Sequence, residues 1–170
     1  MKKLIALSAI FFAVVLTSNV FAQATSSTAS ATASAKIMIP IAIAKNIDLS
    51  FGNIASSTST GTVVIAPDAS GTRTYTGGVT PSVIGAYTSA KYTVTGEGSS
   101  TYTIALPSSI TINSGSNSMT VNNFTSNESD GIGTLSSGSQ IIYVGATLNV
   151  AASQATGTYS GSYDVTVAYN

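Results

Sequence analysis

The last fourteen residues, 157–170, alternate strictly between two classes of side chain, and this pattern constrains the fold more than any other feature. Odd positions carry Gly, Tyr or Val, whereas even positions carry Thr, Ser, Asp, Ala or Asn. Because side chains alternate between the two faces of a strand, the segment is predicted to be one long β-strand with a buried and an exposed face. We expect it to form an antiparallel hairpin with residues 141–150, the longest internal strand.

Shorter segments with the same period of two follow one another along the chain, separated by Gly, Pro, Ser and Asn. Examples are residues 62–66, 73–76, 91–96, 101–106, 110–112 and 119–124. Residues 91–96 and 101–106 flank a Glu-Gly-Ser-Ser turn and are predicted to pair as a hairpin. Residues 127–138 are predicted to form a polar surface loop. Since no long window beyond residue 22 has the helical period, the sequence predicts an all-β, immunoglobulin-like antiparallel sandwich.

The N-terminal stretch has the features of a secretory signal peptide. Lys2 and Lys3 precede an apolar run over residues 4–16, and Ala22 follows as a small residue at a cleavage site. The apolar run is too short to span a bilayer, which favours a cleaved leader over residues 1–22. We therefore expect the chain to be exported.

Residues 23–36, which follow the leader, are rich in Ala, Ser and Thr and are predicted to form an extended N-terminal arm. From residue 29 onward the period of two reappears, with Ala or Ile at every odd position through residue 43. Pro40 has no N–H and interrupts a strand ladder, so the pattern is divided into the arm and a first core strand over residues 37–44. The sandwich domain is expected to span residues 37–170.

Composition excludes several function classes. The chain has no Cys and no His, which removes the usual zinc ligands and the usual catalytic bases, and it has no Trp. Two of its six basic residues lie in the leader, so too few remain for binding nucleic acid. Residues 126–131 weakly resemble a calcium loop, but a solvated loop is the preferred interpretation. We expect no enzymatic activity, no cofactor, no metal and no small-molecule substrate.

Four stretches together resemble a known family. Gly157 and the penultimate Tyr169 have the spacing of the C-terminal signature of chaperone–usher pilins. Residues 49–54 (LSFGNI), 144–150 (VGATLNV) and 161–170 (GSYDVTVAYN) are similar to the spore coat protein U-like secreted pilins and to a neighbouring family of unknown function. The chain departs from many pilins in having no Cys to join its first two strands, and Ala predominates in its arm.

The resemblance implies an incomplete immunoglobulin-like domain that lacks its final strand. A periplasmic chaperone would lend a strand, and an outer-membrane usher would exchange that strand for the arm of the next subunit. The groove that receives both strands would be lined by Gly157, Tyr159, Tyr163, Val165, Val167 and Tyr169. The donor side chains of the arm would be Ala29, Ala31, Ala33, Ala35 and Ile37.

Two functions remain open from the sequence. The first is a structural subunit of a cell-surface fibre or coat, assembled by donor-strand complementation with copies of itself or related subunits, in adhesion or biofilm formation. The second is a self-contained, monomeric secreted β-sandwich whose arm folds back onto its own last strand and which acts as a binding or adhesion module. The two hypotheses differ in where residues 29–37 bind.

Overall fold

The computed structural model describes residues 26–82 and 85–170, so the leader lies outside the described residues. The chain divides into two compact units between Lys36 and Ile37. In the first unit, residues 26–36 form no strand and are exposed throughout. The second unit contains all the strands that the structure describes. No helix among the described residues is long and apolar enough to cross a membrane.

The second unit is an all-β, antiparallel sandwich, as the sequence predicts. Its described residues form ten strands and a single 3₁₀ turn at Ser129–Gly131. The strands are β1 (Ala42–Ile47), β2 (Ile54–Ile65), β3 (Arg73–Pro81), β4 (Ala90–Thr95), β5 (Thr101–Ala105), β6 (Ser109–Ser114), β7 (Asn117–Ser126), β8 (Ile132–Thr134), β9 (Ser139–Val150) and β10 (Thr166–Tyr169).

Strand β9 is the centre of the larger, seven-stranded sheet. One of its edges pairs with β4 through residues 139–144 and with β2 through residues 146–150. Its other edge pairs with β7, which also pairs with β6. Strands β1 and β3 lie beyond β4 and β2 respectively. Because β9 is the central strand of this sheet, its inward side chains are buried, and Ile142 and Val144 have no exposed surface.

The smaller sheet has the strand order β10–β5–β8 and covers one half of the larger sheet. Tyr102 and Ile104 of β5 pack against Tyr92 and Val94 of β4 and the first half of β9. We call this the first core cluster. Tyr102 is fully buried, and its hydroxyl donates a 2.7 Å hydrogen bond to Oε1 of Gln140. A buried tyrosine is thereby placed at the centre of the interface between the sheets without an unsatisfied polar atom.

A second core cluster lies on the other half of the larger sheet and contains no residue of the smaller sheet. Its buried members are Val63, Val79, Met119, Val121, Ala146, Leu148 and Val150. Leu49 and Phe51, which precede β2, and Tyr159 pack against it. This half of the core is therefore covered by single extended segments rather than by a second sheet.

The predicted first core strand over residues 37–44 is wrong in its position. Strand β1 begins at Ala42, while Ile37 and Ile39 are 96% and 59% exposed. Pairing with β4 starts two residues after Pro40, which has no N–H to contribute to a ladder. The alternation is retained only from Ile41, since Ile41 and Ile43 pack against the first core cluster.

Two of the hairpins predicted from the sequence are wrong, namely that of residues 91–96 with 101–106 and that of residues 141–150 with 157–170. A turn does join strands β4 and β5, and in it the N–H of Ser100 donates to the carbonyl of Glu97, but the two strands belong to different sheets. Strand β10 pairs with β5 and not with β9. Turn residues indicate where a chain reverses, whereas the choice of sheet depends on packing. The local hairpin of β6 and β7, by contrast, forms around a tight turn at Gly115.

Residues 127–138 are not the simple polar loop that the sequence predicts. They include β8, and Leu135 is only 1% exposed within the first core cluster. Asn127 belongs to the same framework, because its side-chain oxygen accepts a 2.6 Å hydrogen bond from the backbone N–H of Tyr143. A single leucine among Gly, Ser and Thr lacks the periodicity that marks a core position in sequence.

Replacing Leu135 with Ala is expected to lower the free energy of unfolding by about 2–5 kcal/mol, because it leaves a cavity in the first core cluster. Ile132→Ala is the matched control, since Ile132 belongs to β8 in the same segment but is 47% exposed. Urea unfolding followed by circular dichroism measures both. Equal effects of the two substitutions would contradict the buried position of Leu135.

Candidate functional site

An open groove of about 970 Å³ runs along the second core cluster. One wall is formed by residues 48–56 and the other by residues 154–163. The floor consists of apolar side chains from β6, β7 and β9, namely Ile110, Ile112, Met119, Val121, Leu148 and Val150. The groove thus lies over the half of the large sheet that the small sheet does not cover. Ile110 and Ile112 are half-buried, whereas the other four floor residues are buried.

The C-terminal wall of the groove, residues 154–163, is a single extended segment beside β6. Ser160 exchanges two backbone hydrogen bonds with Asn113 of β6, of 3.0 and 2.9 Å. In an extended chain, neighbouring residues direct their N–H and C=O groups to opposite sides. Tyr159 and Gly161 therefore direct these groups away from β6, and no described residue pairs with them. The wall presents an unpaired strand edge to the groove.

The opposite wall is held in place by contacts outside the groove. Ser50 exchanges two backbone hydrogen bonds with Thr88, of 2.9 and 3.0 Å. The guanidinium of Arg73 donates a 3.0 Å hydrogen bond to the carbonyl of Phe51 and lies 4.2 Å from the ring centroid of Tyr87. Gly52 follows at a φ of +72°, a conformation that other residues rarely adopt. The wall is therefore anchored immediately before its bend at Gly52.

The structure divides the predicted groove residues into two groups. Gly157, Tyr159 and Tyr163 line the groove. Val165, Val167 and Tyr169 lie beyond its end and pack against the first core cluster. The predicted donor residues of the arm, Ala29, Ala31, Ala33, Ala35 and Ile37, are all exposed and form no strand.

The prediction of one strand over residues 157–170 is wrong. Only β10 is a regular strand, and Ser160 forms a single bridge to a strand of the other sheet. The segment pairs first with β6 and then with β5, so residues 161–165 cross between the sheets. Its side-chain alternation survives this change of partner, because odd positions from Tyr163 to Tyr169 are half-buried and even positions are exposed.

The hydroxyl of Tyr169 joins three parts of the domain. It donates a 2.8 Å hydrogen bond to the carbonyl of Ile39 and accepts a 2.6 Å bond from the N–H of Glu97. The N–H of Ile39 in turn donates to the carboxylate of Glu97 at 3.2 Å. Strand β10, the β4–β5 turn and the residues before β1 are thereby linked. We refer to this arrangement as the Tyr169 clamp.

Charge is scarce around the groove. Lys45 and Asp48 form an exposed ion pair of 2.5 Å at one end of it, and their hydrogen bond raises the pKa of Lys45. Tyr92 and Tyr163 line the groove nearby, and burial raises the pKa of both phenols. Among the described residues, no group of three or more Asp, Glu, Cys or His side chains could hold a metal ion. The groove can offer apolar contact and backbone pairing.

Comparison with known proteins adds one finding. A model of the family described as a domain of unknown function (DUF4402) matches residues 41–169. The chain belongs to this family. The DUF4402 match includes both walls and the floor of the groove, whereas the arm precedes it. No curated protein and no solved structure matches the chain.

Sequence reasoning missed most of the groove in this DUF4402 domain. It did not assign Tyr92, the floor residues or the wall over residues 48–56 to a site. The alternation in β6 and β7 marks Ile110, Ile112, Met119 and Val121 as inward-facing. That signal identifies core positions, but it does not show which half of the core stays open.

Tyr169→Phe is expected to lower the free energy of unfolding of the DUF4402 domain by about 1–3 kcal/mol, because the N–H of Glu97 and the carbonyl of Ile39 lose their shared partner. Tyr75→Phe serves as the control, since Tyr75 is 51% exposed on edge strand β3. Chemical denaturation measures both. A change within about 0.5 kcal/mol for Tyr169→Phe, as for an ordinary surface substitution, would show that the clamp contributes nothing.

Proposed function

We propose that this protein is a non-catalytic structural subunit of a cell-surface fibre or coat, assembled by donor-strand complementation. The observation that carries the proposal is the open groove, which combines an apolar floor with an unpaired backbone edge. Exposed edges of this kind are normally covered or blunted, because they promote pairing with another chain. A groove that retains both features is suited to accept a strand.

The chemistry of the groove favours a polypeptide strand as its occupant. Strand addition uses backbone hydrogen bonds along an edge and pockets for alternate side chains. The backbone groups of Tyr159 and Gly161 supply the edge for hydrogen bonds, and the floor residues supply the apolar surface for side chains. Each net hydrogen bond contributes about 1 kcal/mol and each buried methylene about 0.8 kcal/mol. A strand of several residues would therefore be bound by several kcal/mol.

The arm of a second copy of this chain is the proposed donor. Residues 29–35 alternate Ala with Ser or Thr, so an extended arm has one apolar and one polar face. These residues are exposed and uncharged. Ile37 extends the apolar face and is 96% exposed. An uncharged strand with small side chains is compatible with the groove, because the lining of the groove is itself nearly uncharged.

The same proposal includes the route of assembly. The resemblance to chaperone–usher pilins suggests that a periplasmic chaperone and an outer-membrane usher deliver the subunit after its leader is cleaved. Adhesion or biofilm formation is the corresponding role at the cell surface. The competing hypothesis, a monomeric binding module completed by its own arm, uses the same groove and differs only in which chain supplies the strand.

Charged residues on the apolar face of the arm are expected to abolish assembly. We expect the mature protein to form SDS-resistant ladders and the double variant Ala31→Asp, Ala33→Asp to lose them, because burying two carboxylates in an apolar groove is strongly unfavourable. The matched control is Ser30→Asp, Thr32→Asp, which adds the same charge to the opposite face. A monomeric wild-type protein whose arm is protected from hydrogen exchange would favour the monomeric module.

Hydrogen exchange at the C-terminal wall tests the groove directly. In the arm-charged double variant, the amides of Tyr159 and Gly161 are expected to exchange readily, and a peptide of residues 29–37 should slow them at least about tenfold. The amide of Ser160 is an internal control, because it already donates to Asn113. If the peptide binds and these two amides stay unprotected, the strand does not occupy this edge.

A further inference from the structure

The chain that leads into the arm is held at a fixed point of the domain. In the Tyr169 clamp, the N–H of Ile39 donates to the carboxylate of Glu97 at 3.2 Å, and the carbonyl of Ile39 accepts from the hydroxyl of Tyr169 at 2.8 Å. Strand β1 holds the chain again from Ala42 onward. The reach of the arm is therefore limited by the number of residues that separate its donor side chains from Ile39.

This fixed point lies at one end of the central strand β9. Ala42 pairs with Thr95 of β4, and Thr95 pairs in turn with Ser139, the first residue of β9. The N–H of the next residue of the chain after Thr95 donates to the carbonyl of Gly138, which precedes β9. The clamp follows at Glu97, so it lies beyond the N-terminal end of β9.

The unpaired edge of the groove lies at the opposite end of β9. Ser160, at the middle of this edge, is bonded to Asn113 of β6, and Asn113 pairs with Ser118 of β7. Two residues further along β7, Thr120 pairs with Asn149, the penultimate residue of β9. The row that contains Ser160 is therefore level with the position just past the C-terminal end of β9.

The separation of the clamp from the edge exceeds the reach of the arm. Strand β9 has 12 residues, and at a rise of about 3.3 Å per residue its two ends are about 36 Å apart. Ala33, the middle donor of the arm, is six residues from Ile39, so a fully extended chain carries it about 21 Å. Ala29, ten residues away, reaches about 35 Å at most. These limits hold for every direction of the arm, because they depend only on chain length.

The clamp makes this limit stricter. If the clamp opened, β1 would still hold the chain at Ala42, and the nine residues from there to Ala33 would span at most about 32 Å. Because the clamp holds Ile39 as well, it withdraws three of these nine residues from the reach of the arm. The middle of the arm thus falls short of the edge in both cases, and by more when the clamp is closed.

We propose that the arm cannot complete the groove of its own chain, so that the groove accepts the arm of a second copy, and that the Tyr169 clamp enforces this choice. The inference rests on the proposed function, in which the arm is the donor, and identifies which chain supplies it. A donated strand has to place several side chains over the floor while its backbone pairs along the edge. The arm of a second copy can do both, since its own clamp lies on another molecule. The fold thereby favours assembly over self-completion.

The experiment lengthens the connection between the donor residues and the clamp in the full mature chain. A Gly/Ser insertion of about 20 residues between Lys36 and Ile37 has a root-mean-square length of about 25 Å and can extend much further, so the arm can then reach its own groove. We expect oligomers of the wild-type protein at micromolar concentration and monomers of the lengthened variant, because an intramolecular donor has an effective concentration on the order of millimolar. Size-exclusion chromatography with light scattering measures both.

The matched control carries the same insertion between Thr28 and Ala29. It adds the same length to the chain but leaves the spacing between donor and clamp unchanged, so it is expected to remain oligomeric. In the lengthened monomer, the amides of Tyr159 and Gly161 are expected to exchange at least about tenfold more slowly than in the arm-charged double variant.

The outcomes distinguish failure of the inference from failure of the proposed function. A wild-type monomer with both edge amides protected would show that the arm completes its own groove, which overturns the inference and leaves strand binding in place. A lengthened variant as oligomeric as the control would also overturn it, since reach would not select the partner. If the wild-type and lengthened proteins are both monomeric with both amides unprotected, no strand occupies the groove, and the proposed function is rejected together with the inference.

Discussion

The fold depends on a C-terminal segment that pairs with both sheets. Ser160 is bonded to Asn113 of β6 in the large sheet, and six residues later Thr166 begins the ladder with β5 in the small sheet. Because the segment crosses between the sheets, it can complete neither of them over its full length. The small sheet therefore covers only the first core cluster, and the second remains under the groove. The open groove is a consequence of this pairing.

Local sequence patterns anticipate which face of a strand is buried, but not which strand it pairs with. The odd positions from Tyr163 to Tyr169 are the half-buried ones, as alternation predicts. The partner of β10 was nevertheless predicted wrongly, because a period of two is the same for every possible neighbour. The same limit explains the failed hairpin of β4 and β5. Their turn exists, yet Val94 and Tyr102 belong to different sheets and are both buried in the first core cluster.

The candidate site was foreseen only where a local signal coincided with the open region. Gly157, Tyr159 and Tyr163 were found because the terminal segment resembles that of pilins. The floor residues were not predicted to belong to a site, since Met119 and Leu148 have the pattern of ordinary core positions in the sequence. Whether a core position ends under a second sheet or under a groove depends on the sum of all strand pairings. The sequence alone also does not predict that Leu135 is buried, because its neighbours are mainly Gly, Ser and Thr and show no alternation.

Tyr163 and Tyr169 lie six residues apart on the same face and contribute to the protein in different ways. The hydroxyl of Tyr169 is fully bonded and links β10 to Ile39 and to the turn between β4 and β5. That of Tyr163 is buried next to the phenol of Tyr92. A groove in which every polar group were already satisfied would give a more stable isolated domain but would gain less from binding a strand. The unpaired backbone groups of Tyr159 and Gly161 would therefore gain hydrogen bonds only when a strand is bound along this wall.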